Sequence, residues 1–550
     1  MKEAKVLKDW QKSVCYEIYP SSFQDSNGDG TGDLKGITSR LDYLKSLNVD
    51  CIWLTPVYDS PMKDNGYDVA DFYKINPLYG TMDDMDELLK KAYEKGIKVI
   101  MDLVFNHMSE ESPWFKESKS SRDNAKSDWF IWRDSKPDGS VPNNWRGIFG
   151  GSAWTWNETR KQYYLHTFGD FQPDLNWDNP DVRKALYDIA NFWVNKGVGG
   201  FRIDAIVYIK KPADFADGKP DASDGMTLIH NMTASTEGIL DYLHEFKKNV
   251  TEGKNVFTVA EANGVKPEEL KYWEGDSGAF DMLFEFNHLP GSDLWFSTKP
   301  IDIPTVKRAV IASQTATAKN GWYPAFFENH DKPRSASAYF SKNVNTVQSS
   351  KAMITLLLTL RGTPFVYEGE EIGMTNVDWD SIEAYDELNS HAQYEIALNE
   401  GFSKQEAIGF VQLYSRDNAR TPMQWDSSAS AGFTTGKPWL AVNGNYPQVN
   451  VQAEEADPNS TLAYFRKLSN FRKESEILLN GDFEAILKDD TKIFAFKRNY
   501  NGKSLTVLVN MAETEATYDA SLVAGKKVVI STHENTTAGT LRPLEAVIYE

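Results

Sequence analysis

Eight short apolar runs recur along the chain, at about 13–19, 51–56, 97–104, 199–205, 256–261, 279–286, 322–328 and 362–368. Most are separated by stretches whose apolar residues recur at three and four, as at 34–47, 82–95 and 181–196, the spacing of an amphipathic helix. Strand and helix alternating eight times predicts an α/β fold, a (β/α)8 TIM barrel of parallel strands ringed by helices.

The rhythm breaks in three places. About 90 residues separate the third run from the fourth, far more than a crossover connection needs. They are rich in Trp, Asn, Gly and Pro, with Trp114, Trp129, Trp132, Trp145, Trp154 and Trp156 among them. An inserted subdomain over 108–176 is expected, leaving 1–107 and 177–477 to the barrel. A smaller insertion is expected at about 374–439, and it carries the segment Ser415-Arg-Asp-Asn-Ala-Arg420-Thr-Pro-Met-Gln-Trp425. From 478 to 550 the runs become short and punctuated by turn signals such as Asn501-Gly502, which predicts a C-terminal antiparallel β-sandwich domain.

Several of the runs end on acids. Gly200-Phe201-Arg202-Ile203-Asp204 projects a cation and a carboxylate from one face of a strand, because side chains two apart point the same way. Such a neighbour keeps the acid ionised and nucleophilic. Glu261 closes the run Val256-Phe257-Thr258-Val259-Ala260, and Asp331 follows His330 after Phe326-Phe327-Glu328-Asn329. Barrel sites lie where strands end, so these groups are expected to serve one pocket.

Paired carboxyls are what glycosidic cleavage needs: one below the anomeric carbon, one protonated beside the leaving oxygen. At about 5–5.5 Å apart they give net retention through a covalent glycosyl-enzyme. Asp204 suits the nucleophile. Glu261 suits the acid and then the base, with Val259 and Ala260 expected to provide a less polar setting that raises its pKa.

The segments Asp102-Leu-Val-Phe-Asn106-His107, 200–204, Val259-Ala-Glu261 and Phe327-Glu-Asn-His330-Asp331 resemble, in order and spacing, the motifs of the alpha-amylase family of glycoside hydrolases. The resemblance runs from about residue 13 to the C-terminus. It implies that Asp331 distorts the bound sugar and holds its hydroxyls, and that His107 and His330 donate to hydroxyls of the same sugar. Similarity to exo-acting members implies that Asp64 and Arg420 grip a non-reducing end while Tyr67 stacks on the ring. Arg416 is the alternative to Arg420, and Arg202 completes the substrate-binding set.

The stretch Asp25-Ser-Asn27-Gly-Asp29-Gly-Thr31-Gly-Asp33 alternates oxygen-bearing and flexible residues, like the start of an EF-hand loop, but Gly36 stands where a bidentate glutamate belongs. It reads as a structural Ca2+ site formed by Asp25, Asn27, Asp29, Asp33 and the carbonyl of Thr31. Magnesium, or a metal-free Asx-rich turn, are the alternatives.

Within the family, this loop together with Gln172-Pro-Asp174-Leu-Asn176-Trp and Ala419-Arg420-Thr-Pro-Met-Gln-Trp looks like the oligo-1,6-glucosidase, alpha-glucosidase and sucrose isomerase branch. In that branch valine after the nucleophile is associated with α-1,6 bonds, and alanine or threonine with α-1,4 bonds; here the residue is Ala205. The resemblance therefore implies an exo-acting, retaining alpha-glucosidase that releases α-1,4-linked glucose from short oligosaccharides, with α-1,6 bonds as a second class. An oligo-1,6-glucosidase or a sucrose isomerase is the alternative. Two positions depart from the pattern: Ala260 where glycine is usual, and Lys332 where glutamine or asparagine is common. One lysine is too little to argue for a phosphorylated disaccharide.

Composition agrees with a neutral sugar as partner. A net charge of −20 disfavours nucleic acid, because the phosphate-neutralising contribution has the wrong sign. The first ten residues have no apolar signal-like segment and no run reaches membrane length, so a cytoplasmic protein with no membrane partner is expected. Cys15 and Cys51 lie in apolar runs and read as reduced core residues. A catalytically dead, sugar-binding or transporter-associated barrel would be expected to lack an acid or carry an anchor; this chain has all three acids.

Overall fold

The computed structural model describes residues 7–289 and 295–550. Residues 1–6 and 290–294 of the expected barrel span therefore lie outside the described residues.

All eight expected strands form: β1 (Cys15–Ile18), β2 (Cys51–Leu54), β3 (Lys98–Leu103), β4 (Gly200–Ile203), β5 (Phe257–Glu261), β6 (Met282–Phe284), β7 (Pro324–Ala325) and β8 (Thr363–Tyr367). They make one sheet in the order β6-β5-β4-β3-β2-β1-β8-β7, the near-closed parallel barrel of the (β/α)8 fold. Parallel strands are covered on both faces, which is why each reads as an unbroken apolar run: every residue of β1, β2, β4 and β8 is buried.

Two of the three helices named from the sequence stand as continuous elements, Met82–Glu94 and Pro180–Lys196. The second starts at an Asn179 side chain that accepts from the Asp181 N–H, has Pro180 at its first position, and stops at Gly197 with φ 101°. The third, 34–47, is corrected to two helices, Leu34–Ser39 and Leu41–Ser46, divided at Arg40 with φ −99° and ψ 5°. Arg40 is held there by stacking on Trp425 and by hydrogen bonds to Gln24, tertiary contacts that apolar periodicity does not register.

By internal packing the chain forms two compact units. One comprises Met1–Ile52, Lys91–Ile97 and Asn287–Glu550; the other comprises Trp53–Lys90 and Lys98–Phe286. The segment 108–176 belongs to the second. It holds a helix, Pro113–Ser118, and a three-stranded sheet of Trp132–Arg133, Gln162–Leu165 and Trp154–Asn157. Its core of Ile131, Trp145, Ala153, Trp154 and Leu165 also takes in Ile229, and Trp145–Arg146 pairs in parallel with Thr227–Leu228. A stretch that follows β4 thus completes the insertion.

In the first unit, β9 (Asp482–Ile486), β10 (Ile493–Tyr500), β11 (Lys503–Asn510), β12 (Val528–Ser531) and β13 (Ala546–Tyr549) form an antiparallel sheet in the order β9-β10-β11-β13-β12. Asn501 and Gly502, both at positive φ, turn the β10–β11 hairpin. A two-stranded pair, Ala516–Thr517 with Thr540–Leu541, shares that sheet's core. The second insertion is helical, with Leu388–Asn399, Lys404–Tyr414 and Asp417–Arg420. Both cysteines are buried, and they form no disulfide among the described residues. Among the described residues no helix is long and apolar enough to cross a membrane.

Candidate active site

In the second unit, β4 lies between β3 and β5, and the register sets Arg202 opposite Asp102 on one side and Val259 on the other. Arg202 Nη1 meets both oxygens of Asp102 at 2.8 Å and Asp204 Oδ1 at 2.7 Å, while Nη2 pairs with Glu261 Oε2. One guanidinium therefore spans the two acids expected to do the chemistry. Burial opposes the charge of Arg202, but Asp102, Glu261 and Asp204 together raise its pKa well above the usual value. The side chains of Asp204 and Glu261 keep 10% and 21% of their surface open, against 1% for Arg202, so the acids rather than their cation are presented outward.

Asp102 is fully enclosed, also accepting from Tyr67 Oη at 3.0 Å and Trp53 Nε1 at 3.3 Å. Tyr67 is thereby fixed by its hydroxyl. Asp64 accepts from Gln172 Nε2 at 2.8 Å, and the same amide lies 3.3 Å from His107 Nε2, which is also 3.1 Å from the Tyr67 carbonyl. His107 Nδ1 is 3.2 Å from Asn106 Nδ2. Burial pushes the His107 pKa down to about 4 despite Asp174, so the ring is neutral near pH 7. Below it, Lys211 and Asp174 form a buried pair at 2.8 Å, with Lys211 reaching Asn106 Oδ1 at 3.3 Å.

Ala205, directly after the candidate nucleophile, sits in the left-handed region at φ 46°, ψ 32° and begins the short helix Ile206–Tyr208. A non-glycine residue there is uncommon, and a β-branched one is strained.

The first unit carries the third acid. His330 Nε2 pairs with Asp331 Oδ2 at 3.0 Å and its Nδ1 with Glu17 Oε1 at 2.5 Å. Asp331 Oδ1 receives Arg420 Nη2 at 2.8 Å and Arg416 Nη1 at 3.1 Å. Burial alone would lower the His330 pKa, but Asp331 and Glu17 raise it to about 9. Burial would likewise raise that of Asp331, but His330, Arg416 and Arg420 hold it well below the usual carboxylate range. Arg416 also grips Glu387 Oε1 at 2.6 Å, and Arg420 Nε donates to the His330 carbonyl at 3.0 Å.

The model of the alpha-amylase catalytic domain matches residues 17–481, most of the chain. The chain belongs to the alpha-amylase family. It is a glycoside hydrolase, with relatives of that class at moderate identity over nearly its full length. An oligo-1,6-glucosidase of Halalkalibacterium halodurans is 43% identical over 98% of each chain. Among solved structures, a trehalose-6-phosphate hydrolase of Bacillus licheniformis is similar with TM-score 0.91 and 39% identity, covering 98% of this chain and 99% of that one. An isomaltulose synthase of Protaminobacter rubrum is similar with TM-score 0.93 and 35% identity, covering 99% of each.

Of the alpha-amylase family motif residues, Asp204, Glu261, Arg202, His107, Tyr67 and Asp64 fall in the second unit and Asp331, His330 and Arg420 in the first. The expected apolar setting of Glu261 is corrected: Arg202, not only Val259 and Ala260, is its neighbour. Arg416 and Arg420 both pair with Asp331. Both ring nitrogens of His107 and of His330 already have protein partners. Glu17, Lys211 and Glu387 went unread in the sequence. Glu17 was visible as a charge inside an apolar run, whereas Glu387 carries no signal of its own.

In the glycine-rich loop the Asx side chains fold back on the backbone. Asp25 accepts from the N–H groups of Asn27, Gly28 and Gly30, Asn27 from Asp29, and Asp29 from Thr31. Asp33 accepts from Ser26 and caps the helix at Gly36 N. Gly30, at φ 98°, admits no side chain, because a Cβ would lie 1.8 Å from the Lys437 carbonyl oxygen. Among the described residues no three acidic, imidazole or thiol groups are gathered as metal ligands.

Proposed function

We propose that the protein is an exo-acting, retaining alpha-glucosidase that releases glucose from short oligosaccharides. The observation that carries the reading is the single guanidinium of Arg202 shared by Asp204 and Glu261. Asp204, held ionised, attacks the anomeric carbon and forms a glycosyl-enzyme. Glu261 protonates the leaving oxygen and then deprotonates the water that releases glucose. Asp331, ionised within its own cage of cations, holds hydroxyls of the sugar and favours its distortion. His107, on the Tyr67 carbonyl and Gln172, and His330, on Asp331, position the groups that meet those hydroxyls; Tyr67 offers its ring, and Asp64 with Arg420 holds the non-reducing end.

Linkage preference divides two readings. Ala205 supports α-1,4 bonds, since it leaves space beside the nucleophile. The name of the Halalkalibacterium halodurans relative supports α-1,6 bonds. One or two methyl groups shift discrimination by about 1–3 kcal/mol, so both substrates should be cleaved with a bias. Rates on maltose, isomaltose, sucrose and trehalose, measured side by side, test this: isomaltose cleaved much faster than maltose would overturn the α-1,4 reading. Proton NMR of the fresh product should show α-glucose; β-glucose would exclude retention. Isomaltulose formed from sucrose would replace hydrolysis with isomerisation.

The loop of Asp25, Asn27, Asp29, Thr31 and Asp33 is proposed to bind Ca2+, or Mg2+ in its place. The support is the alternation of oxygen-bearing and flexible residues in its sequence. Chelator treatment should lower the melting temperature and calcium restore it; a melting temperature indifferent to both would remove the proposal.

A further inference from the structure

A cavity of about 250 Å³ opens in the second unit, and its lining includes none of the residues assigned above to catalysis or sugar holding. Its lining includes Asp128, Trp132, Arg133, Arg160, Asn176 and Phe215, from the insertion and from the stretch after β4. The volume is just below the roughly 300–1,000 Å³ of drug-sized ligand sites, which suits one ring rather than a chain.

Its two arginines are set in advance. The Arg133 guanidinium lies 4.0 Å from the Phe215 ring centre, and that of Arg160 lies 4.3 Å from Trp132. Phe215 is itself held at φ 47°, a strained conformation for a bulky residue, and stacks on Trp145 at 5.5 Å. Neither arginine has a carboxylate within ion-pair distance among the described residues. Arg160 is anchored inward, donating to Gln162 Oε1 and the Ser118 carbonyl. Among the described residues the Arg133 guanidinium donates only to the Trp132 carbonyl, which leaves most of its planar fork available. Asp128, Asp178 and Lys211 line the same cavity, and Lys211 is neutralised by Asp174 at 2.8 Å, so an anion would meet two carboxylates as well as the two guanidiniums.

We infer that this cavity is a second binding site, for a neutral polyhydroxy ring such as a single glucose unit. Donors of guanidinium and amide type and acceptors of carboxylate type surround one ring-sized space, and a hydroxyl can use either. The arginines and neighbouring rings already cover the faces of Trp132 and Phe215, so hydrogen bonding rather than stacking holds the ligand. Affinity is accordingly weak, with a Kd on the order of 1 mM. The inference does not depend on which linkage the acids cleave.

The test is calorimetric or NMR titration of glucose into the full chain with an iminosugar glucose mimic in excess at the catalytic acids. A saturable glucose event should persist. Arg133→Ala and Asp128→Asn, both at exposed positions, should each weaken it by about fivefold or more. Hydrolysis at low substrate should be unchanged in both variants. Absence of saturable binding, binding equal in wild type and both variants, or displacement of glucose by lower concentrations of sulfate would each overturn the proposal, the last by marking an anion site. Because the readout is binding without turnover, loss of the event is distinguishable from failure of the glycosidase reading.

Discussion

Arg202 Nη1 lies 2.7 Å from Asp204 Oδ1, two positions along the chain and one residue past the end of β4, while the other terminal nitrogen of the same guanidinium serves Glu261. The proposed nucleophile and the proposed acid/base share one cation. Asp204→Asn should keep the fold, because Asp102 and Glu261 still neutralise Arg202, but lower kcat on an aryl α-glucoside by on the order of 10⁴-fold. Hydrolysis undiminished in that variant would remove the nucleophile assignment.

Arg202→Met leaves Asp102 buried without its cation. Breaking a buried pair by removing one partner costs about 3–5 kcal/mol, and urea unfolding should register a loss of that size. A variant as stable as wild type would show that the two acids do not rely on Arg202.

The two site histidines should respond to pH in opposite directions. His330 has a folded pKa of about 9 against 6.5. Its contribution is therefore complete below pH 6.5 and fades as pH rises towards 9. His107 has a folded value of about 4 against 6.5, so the unfolded chain takes up that proton first. Stability is then lost as pH falls from 6.5 towards 4. Urea stability measured across this range should show a shallower alkaline decline in His330→Gln and a shallower acid decline in His107→Gln. Slopes unchanged in both would contradict the surroundings described for each ring.

Ala205→Val tests linkage and strain together. A β-branched residue at φ 46° should lower stability by about 1–3 kcal/mol. It should also raise the isomaltose-to-maltose ratio of kcat/KM by about tenfold or more. A stable variant with an unchanged ratio would show that this position neither strains the loop nor shapes the leaving-group space.

The barrel was legible because strands buried on both faces leave continuous apolar runs, and the site was legible where one run delivers its own acid, as in 200–204. Pairings that depend on register between distant strands were not. Arg202 reaches Glu261 only because β4 and β5 align Ile203 with Ala260, and nothing near Glu261 in the chain announces a cation. Arg40 breaks an apparently continuous helix through Trp425, and Glu387 acquires its partner only when the second insertion folds. Charge inside an apolar run, as at Glu17, was the one overlooked signal that the residues themselves contained.

The parallel pairing of Trp145–Arg146 with Thr227–Leu228 also orders events during synthesis. A chain emerging from the ribosome reaches the end of the insertion well before it reaches β4, and must complete β4 before the residues that close the insertion's edge exist. The insertion can be finished only after the strand that leads to Asp204 has been made, which ties its maturation to the barrel rather than leaving it an independently folding module.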